Sequence, residues 1–355
     1  MDLTTGDGVR VYLTAHMTLK VESTERLSGG YCNFVWRAKL KTPYEGQNSV
    51  IVKYAAPFTS WDQTIELGVE RLAFECMSLK MITSETPLLE ENGLVAVPTV
   101  YHYDSTANVL VMQDIGSIAT LHGFLRSNTP PTVPMAALIG AKLAAFIAGV
   151  HNWGRNNLPA HTRLSANTVG RTAMKKLCYE TIVPKAAKSG VVDPLLPMVV
   201  AALSEEAMTN DETLVMGDFW TANVLIDVQE SHTGEQVLKK LWVIDWESCR
   251  YGNPATDIAS FAGDSYLVSR FQDHGLGEAL RHSFLETYAA LAKVDPLRVA
   301  LGLGAHWIMW TDDLGQGGEA ETRECVDKGL EYIQRAWDQS AEWVSLSLAK
   351  ELVVL

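Results

Sequence analysis

Alternation of apolar and polar residues predicts a small β-sheet in the first third of the chain. Over residues 20–41 this alternation lies on both sides of Gly29 and Gly30, which predicts two strands joined by a flexible turn. Apolar residues then recur at helical spacing over residues 62–82. The other β-type runs here are SVIVKYA, VAVPTVYHYD and NVLVMQDIG. We therefore expect an antiparallel sheet with one helix over residues 1–114.

Helical periodicity dominates the rest of the chain. Long apolar stretches with this period cover residues 134–152, 195–208, 264–292 and 324–349. Between them lie two β-type runs, TLVMGDFWTANVLID and LKKLWVIDWES, which the polar loop VQESHTGEQ joins into a hairpin. The pattern therefore predicts an α+β chain whose second, larger and mainly helical lobe covers residues 115–355.

Composition and charge exclude several classes of function. The 355 residues are 47% hydrophobic and 20% charged, which is typical of a globular protein and untypical of a disordered one. The formal net charge is −13, and such a surface repels nucleic acids and anionic lipids. We therefore expect neither a nucleic-acid nor a membrane partner, but a small cationic one.

Cysteine usage and the N-terminus indicate a cytoplasmic protein. The five cysteines include no CxxC pair and are odd in number, as expected for thiols in a reducing compartment. The N-terminus MDLTTGDGVR has neither a basic nor an apolar leader segment. No run reaches the ~18 to 20 uninterrupted apolar residues of a membrane span.

Three side chains that can bind a metal lie near the ends of the predicted hairpin strands. Asp218 and Asn223 stand five residues apart in an irregular stretch that leads into a strand, and Asp245 ends the next strand. Mg²⁺ prefers oxygen ligands and is commonly held by one or two carboxylates together with substrate phosphates. Asp245 with Asn223 fits that pattern, which leaves Asp218 to meet a hydroxyl nucleophile. Any one of these residues alone is more typical of a turn cap.

A glycine turn and a strand lysine provide groups that bind phosphates. Backbone N–H groups near Gly29 and Gly30 can approach phosphate oxygens, and Lys53 on the next strand can supply a positive charge. Glu75 or Glu70 on the following helix can pair with Lys53, and spacing does not decide between them. The simpler interpretation of these features is a plain hairpin and a solvent-facing lysine.

In this order, the motifs match the parts required for phosphoryl transfer in a kinase. The chain resembles the aminoglycoside-phosphotransferase-like kinase superfamily, within it a fungal branch related to methylthioribose kinase. The resemblance implies a bilobal, protein-kinase-like α+β fold that uses ATP and Mg²⁺, and we expect a monomer. The segments that carry it are LSGGYCNFVWR, VIVKY, ERLAFE, LVMQDIG, MGDFWTANVLI and VIDWESCRYGNPATDIASF.

For the nucleotide, the resemblance implies roles for residues of the first lobe. It assigns Gly29, Gly30 and Asn33 to the nucleotide loop and Lys53 to the α and β phosphates. It also favours Glu75 over Glu70 as the partner of Lys53, because Arg71 and Glu75 match the family's R-x-x-x-E helix. The adenine is expected on backbone groups near Gln113 and Ile115.

For the reaction itself, the resemblance makes Asp218 the catalytic carboxylate. It assigns the magnesium ion to Asn223 and Asp245, with Glu247 joining through water. Two features depart from the family pattern. Met216 replaces the histidine that usually precedes the Gly-Asp of the catalytic loop, so a hydrogen bond that supports the loop is missing. The arginine pair of the methylthioribose kinases is absent from the whole sequence, which counts against methylthioribose as substrate.

The resemblance and the acidic, Trp-rich sequence together suggest an indole amine as acceptor. We expect transfer to its 4-hydroxyl group, on 4-hydroxytryptamine or an N-methylated form, as in psilocybin biosynthesis. An indole ammonium compound needs aromatic walls and an acidic or π-rich site. The candidate residues are Phe219, Trp220, Trp310 and Asp313, the last adjacent to Asp312.

Other functions compete with this expectation. A methylthioribose kinase or another small-metabolite kinase shares the same motifs, whereas a pseudokinase that only binds a partner is disfavoured because the catalytic residues are present. The glycines of GLGLGAHW suggest a dinucleotide site only superficially, since they lie in a helical pattern and no strand precedes them. We expect His151 to be a helix-terminal or core residue and Asp257 to brace the catalytic loop.

Overall fold

The computed structural model describes residues 1–28, 31–86, 88–89, 93–313 and 317–353, and contacts group the chain into two units. The first unit contains Met1–Glu85, Val97–Ile118 and Asp245–Ser248. The second contains Thr86–Ala96, Ala119–Ile244 and Cys249–Leu355. The predicted division after residue 114 is a single cut, whereas each of these units combines three segments of the chain.

The described residues form strands and helices in the following order. The strands are β1 (Val21–Arg26), β2 (Phe34–Tyr44), β3 (Gln47–Tyr54), β4 (Val95–Ala96), β5 (Val100–Asp104), β6 (Val109–Gln113), β7 (Ala119–Thr120), β8 (Thr213–Val215), β9 (Val224–Glu230), β10 (Gln236–Val243) and β11 (Arg250–Gly252). The helices are α1 (Gly6–Met17), α2 (Arg71–Ser84), α3 (Leu121–Leu125), α4 (Val133–Arg155), α5 (Leu158–Leu164), α6 (Thr168–Ala173), α7 (Ile182–Lys188), α8 (Leu195–Thr209), α9 (Ala255–Phe271), α10 (His274–Leu291), α11 (Pro296–Trp310), α12 (Glu319–Trp337) and α13 (Ala341–Val344).

The first unit is built on an antiparallel five-stranded sheet with the order β1-β2-β3-β6-β5. Strands β2 and β3 are joined by Glu45 and Gly46, both with positive φ (49° and 75°). Two such residues are typical of the tight hairpin turns that match strand twist. The predicted antiparallel sheet of the first lobe is therefore confirmed.

The first unit contains a helix that the hydrophobic pattern did not predict. Helix α1 begins after Thr5, whose side chain accepts the backbone N–H of Gly8. Its buried residues Val9, Tyr12 and Leu13 pack in one apolar cluster with β2. The Thr N-cap and the i, i+3, i+4 spacing were the available signals.

The second helix of this unit begins nine residues later than the predicted start at residue 62. Residues of the predicted first turns pair instead with the segment that follows β3, with Phe58 bridged to Glu66. The Asp62 carboxylate accepts the backbone N–H of Thr64, which fixes a local turn. This side-chain-to-backbone bond competes with helix formation.

The second unit holds the predicted hairpin and most of the helices. Strands β9 and β10 pair antiparallel, with β4 parallel to β10 and β7 antiparallel to β9. The predicted helix over residues 264–292 is two helices, because Asp273 caps the N-terminus of α10 by accepting the N–H of Leu276. The predicted helix over residues 324–349 likewise divides into α12 and α13.

Helix α4 is the described helix that is long and apolar enough to span a bilayer by length and composition. Inside the second unit, this helix packs along α10 and buries many of its apolar residues. At the crossing, Gly140 lies so close to α10 that a Cβ atom would clash with the carbonyl oxygen of Leu280. Burial of this kind is typical of a core helix.

We predict that Gly140→Ala destabilises the protein. Alanine normally stabilises a helix interior by about 1 kcal/mol over glycine. Here the added methyl group meets the backbone of Leu280, so we expect a net loss of roughly 1–3 kcal/mol of unfolding free energy. Gly275→Ala is the control, since its Cβ would meet its nearest atom at 3.4 Å. Equal unfolding midpoints for the two variants would contradict the prediction.

Candidate functional site

Lys53 is the central cation of the first unit. It lies on β3 opposite Val35 and Leu110 and is 8% exposed. Its Nζ atom donates to Glu75 Oε1 at 2.7 Å and to Asp245 Oδ1 at 2.6 Å. The predicted pairing of Lys53 with Glu75 is confirmed, while Glu70 is exposed at the start of α2.

In this cluster, burial and neighbouring charges shift the pKa of the same group in opposite directions. Burial alone would lower the pKa of Lys53, but the carboxylates of Asp245 and Glu75, with Glu247, raise it above its ordinary value. Burial raises the pKa of Glu75 to about 7, although Lys53 opposes the shift. Lys53 is therefore charged at neutral pH.

Asp245 has an unusual backbone conformation. Its φ angle is 67°, in the left-handed region that Asp and Asn adopt more often than other non-glycine residues. Its side chain is 30% exposed, against 1% for Glu75. The carboxylate therefore contacts Lys53 and remains accessible to a ligand.

Arg71 connects the loop after β1 to the segment around Glu247. Its Nε donates to Asn33 Oδ1 at 2.8 Å and lies 3.4 Å from Glu247 Oε2. Asn33 Nδ2 donates to the same Glu247 oxygen at 2.6 Å. Burial and the nearby Asp245 raise the pKa of Glu247.

This network includes Asn33, one of the residues predicted to form the nucleotide loop. Asn33 is 3% exposed, and both ends of its amide are bonded to Arg71 and Glu247. The structure therefore places Asn33 where it orders the loop from within. Gly29 and Gly30 lie outside the described residues.

The segment predicted to bind adenine is fixed by Asp114. Its carboxylate accepts Arg37 Nε at 2.7 Å and Ser49 Oγ at 2.6 Å. The backbone N–H of Gln113 is bonded to the Thr99 carbonyl. In the described part of the chain, no hydrogen bond to the backbone of Ile115 occurs, which leaves Ile115 the better placed of the two predicted residues.

In the second unit, Asp218 and Asn223 form one hydrogen-bonded loop. Asn223 Nδ2 donates to Asp218 Oδ2 at 2.8 Å and to the Asp218 carbonyl at 2.9 Å. Gly217 has a φ of 84°, which favours glycine at the position before Asp218. The Asn223 carbonyl accepts the N–H of Ile244 where the β9–β10 ladder ends.

A buried carboxylate supports this loop in the absence of the family's histidine. Asp257 accepts the N–H groups of Met216 and Gly217, both at 2.8 Å. His151 Nε2 lies 3.1 Å from Asp257 Oδ2, and its Nδ1 lies 2.8 Å from Tyr288 Oη. The expectations that Asp257 braces the loop and that His151 is a core residue are confirmed.

The four residues predicted to bind the acceptor substrate lie in different environments in the structure. Trp220 and Trp310 stack with centroids 5.9 Å apart and an interplanar angle of 16°, and both are half-buried. Phe219 instead is fully buried and stacks on Phe261, so the structure places it in the core and not in a binding wall. The two residues that follow Asp218 thus stack on different partners, which spacing alone does not reveal.

The acidic pair after Trp310 is already neutralised. Lys185 Nζ donates to Asp313 Oδ2 at 2.6 Å and lies 5.1 Å from the centroid of a Trp310 ring. Lys188 pairs with Asp312. Asp313 is therefore engaged in an ion pair, and the predicted contact of this residue with a substrate ammonium has no support from its geometry.

Comparison with known proteins identifies the family. The model of the phosphotransferase enzyme family matches residues 77–299. The chain is 42% identical over 342 residues to the 4-hydroxytryptamine kinase of Psilocybe cyanescens, which covers 94% of both chains. It is 41% identical over 336 residues to that of Psilocybe cubensis, which covers 93% of this chain and 92% of the relative. This chain belongs to the phosphotransferase enzyme family. It is thus an enzyme that phosphorylates a hydroxyl group.

One solved structure and several short segments of the sequence are also relevant to the family. The AMP-bound spectinomycin phosphotransferase aligns over 94% of this chain and 98% of its own, with 12% identity and a TM-score of 0.48. The segments RLSGG, DPLLP, ETLVM, YLVSRFQD and HWIMWTD predict a likeness to 4-hydroxytryptamine kinase. The sequence comparison confirms that likeness.

The predicted magnesium ligands of this phosphotransferase suit a cation that binds with its nucleotide. Within the described ranges there is no group of three or more His, Cys, Asp or Glu side chains that could hold a metal. Mg²⁺ needs only one or two carboxylates when phosphates and water complete its shell. Asn223 uses its amide nitrogen on Asp218, so its oxygen remains for a cation. Of the two carboxylates, Asp245 is more exposed than Glu247 (30% against 9% of the side chain).

His306 lies buried beside Trp310 on α11. It is 2% exposed, its ring centroid lies 6.5 Å from that of Trp310, and among the described residues neither ring nitrogen has a hydrogen-bond partner. Burial lowers the pKa of His306 to about 4, although the charge of Asp264 opposes the shift. The imidazole is therefore neutral in the folded protein at neutral pH.

We predict that His306 makes the protein acid-sensitive. Below pH 6.5 the unfolded chain binds a proton on this residue that the folded chain takes up only near pH 4, so stability falls as the pH falls between these values. The full loss is roughly 3 kcal/mol. His306→Phe should flatten the pH dependence of the unfolding free energy, and His232→Gln, on an exposed loop, should leave it unchanged. Parallel profiles for the wild type and His306→Phe would refute this assignment.

Proposed function

We propose that this phosphotransferase transfers the γ-phosphoryl group of ATP to the 4-hydroxyl of an indole amine, 4-hydroxytryptamine or an N-methylated form. The observation that carries the proposal is the identity of 42% and 41% to two kinases of that name, over more than nine-tenths of every chain compared. Family membership alone supports only a phosphotransferase.

In the proposed reaction, the first unit supplies the phosphate-binding charge. Lys53, held by Glu75 and Asp245, neutralises phosphate oxygens. The attraction between this ammonium and a phosphate is stronger in a buried site than in water. Asp245 and Asn223, with Glu247 through water, would hold Mg²⁺, which supplies further positive charge to the phosphates. Ile115 offers backbone groups for the adenine.

The second unit supplies the groups for the acceptor. Asp218 orients the hydroxyl and receives its proton. Asn223 holds Asp218 by one hydrogen bond to its carboxylate and one to its backbone carbonyl. A phenolic hydroxyl has a reference pKa of ~10, far below that of a sugar hydroxyl, so little is required of the base. The stacked pair Trp220 and Trp310 provides a partly exposed aromatic surface for an indole ring.

We also propose a cytoplasmic location and a monomeric state. None of the five cysteines forms a disulfide in the described part of the chain, as expected in a reducing compartment. The monomer is the simplest assumption for a site whose proposed residues all come from one chain.

A direct assay tests the acceptor and the base together. We expect ATP-dependent phosphorylation of 4-hydroxytryptamine and none of methylthioribose. Asp218→Asn should lower kcat by about 10²- to 10⁴-fold with little change in the KM for ATP, because the base acts only on the acceptor. Asp227→Asn, on β9 of the same hairpin, is the control and should keep normal activity. Turnover of methylthioribose alone would refute the acceptor, and full activity of Asp218→Asn would refute the mechanism.

The aromatic pair has a separate test. Trp310→Ala should raise the KM for 4-hydroxytryptamine by roughly tenfold and leave the KM for ATP unchanged, since it removes contact area from the acceptor alone. Trp343→Ala is the matched control, because this half-buried tryptophan packs against Tyr332 and not against the catalytic loop. If the two variants change the acceptor KM equally, the pair does not bind the acceptor.

A further inference from the structure

The catalytic loop contains a buried hydroxyl that none of the roles above uses. Thr221 lies in the short turn Thr221–Asn223, between Asp218 and β9, and is fully buried. Its hydroxyl donates to Asp264 Oδ2, a carboxylate on α9 that is also fully buried. A buried carboxylate is costly unless it is paired, so this contact requires an explanation.

Two carboxylates of one helix contact the loop on opposite sides of Asp218. Asp257 and Asp264 are seven residues apart on α9, close to two full turns, which places them on the same face. Asp257 binds the backbone before Asp218, through Met216 and Gly217. Asp264 binds the side chain after it, through Thr221. The helix therefore holds both ends of the segment that carries the base.

Arg126, which follows α3, and His122 within α3 lie close to the Asp264 carboxylate. Arg126 places a guanidinium nitrogen 3.5 Å from Asp264 Oδ1, and His122 Nδ1 lies 3.8 Å from Oδ2. His122 Nδ1 also lies 3.4 Å from the Thr221 hydroxyl oxygen. Burial would raise the pKa of Asp264, but His122, Arg126 and Thr221 lower it to about 2. The carboxylate is thus a charged, strong acceptor for the Thr221 hydroxyl.

The same group connects to the aromatic pair. The His122 ring meets Trp220 edge-on, with centroids 5.8 Å apart and an interplanar angle of 68°. Trp220 precedes Thr221 directly and stacks on Trp310. Asp264 therefore contacts, through Thr221 and His122, both the loop of the base and one side of the aromatic pair.

We propose that Asp264 is a positioning residue for phosphoryl transfer, acting through Thr221 to fix the orientation of Asp218 and Trp220. This inference rests on the proposed function for the acceptor and for the roles of Asp218 and Trp220. A loop anchored by Asp257 alone keeps its position at Gly217 but loses its restraint after Asp218. Because transfer requires close alignment of the attacking oxygen, kcat falls while nucleotide binding is unaffected.

The primary test replaces the Thr221 hydroxyl without changing side-chain size. Thr221→Val should lower kcat for 4-hydroxytryptamine by about 10- to 100-fold, with the KM for ATP unchanged. Thr221→Ser retains the hydroxyl and should stay within about threefold of the wild type. Ser265→Ala is the matched control: Ser265 is a buried residue next to Asp264 whose hydroxyl donates to the Phe261 carbonyl of its own helix, so its loss should leave kcat unchanged.

Amide hydrogen exchange provides a readout that requires no acceptor. In Thr221→Val, peptides covering residues 218–224 should exchange faster than in the wild type, while peptides of α4 should not, and Thr221→Ser should restore the wild-type pattern. Folded Asp264→Asn protein should show the same faster exchange of residues 218–224.

The outcomes separate this proposal from the proposed function. Normal kcat and normal loop exchange in Thr221→Val would overturn the positioning role of Asp264. An even loss of amide protection over the whole protein would also overturn it, because such a loss indicates a role in stability alone. If the wild-type enzyme fails to phosphorylate 4-hydroxytryptamine, the proposed acceptor is wrong, and the exchange data still decide whether Asp264 positions the loop.

Discussion

Pairing of the buried Lys53 ammonium is the constraint on which the first unit depends. A lysine that is 8% exposed must have close anionic partners, and Glu75 on α2 and Asp245 from a distant part of the sequence supply them at 2.7 and 2.6 Å. This requirement explains why Asp245–Ser248 belongs to the first unit although the strand before it belongs to the second. Arg71 extends the same network to Asn33 and Glu247, so the polar groups near Lys53 hold one another in place.

The second unit uses the same physics with the charges reversed. Here buried carboxylates are compensated by backbone N–H groups and by the half-buried guanidinium of Arg126, and both carboxylates lie on α9. Asp257 supports the loop by accepting the N–H groups of Met216 and Gly217. A fixed carboxylate that accepts two N–H groups holds the loop backbone directly, which explains how the chain tolerates methionine at that position.

Much of the fold and part of the site followed from the sequence. Strand alternation and helix spacing depend on nearest neighbours along the chain, so the antiparallel sheet, the β9–β10 hairpin and most helices were predictable. Errors occurred where one polar side chain interrupts a periodic run, as with Asp62 and Asp273. Site residues embedded in spaced motifs, such as Lys53, Asp218 and Asn223, were recognisable. Phe219 and Asp313 were not separable from binding residues, because stacking in a core and pairing with a lysine of another helix leave no mark on local spacing.

The sequence by itself thus determined the order of the elements, the residue types that carry phosphoryl-transfer chemistry and the acidic balance of the surface. Only the tertiary structure decided which of those residues meet. It placed Phe219 in the core while Trp220 stacked on Trp310, joined Thr221 to Asp264, and bonded Lys53 to Glu75, the partner that the family resemblance favoured. The reason is physical: a contact between residues 22 or 43 positions apart depends on burial and on the pairing of charge, and these are properties of the folded chain.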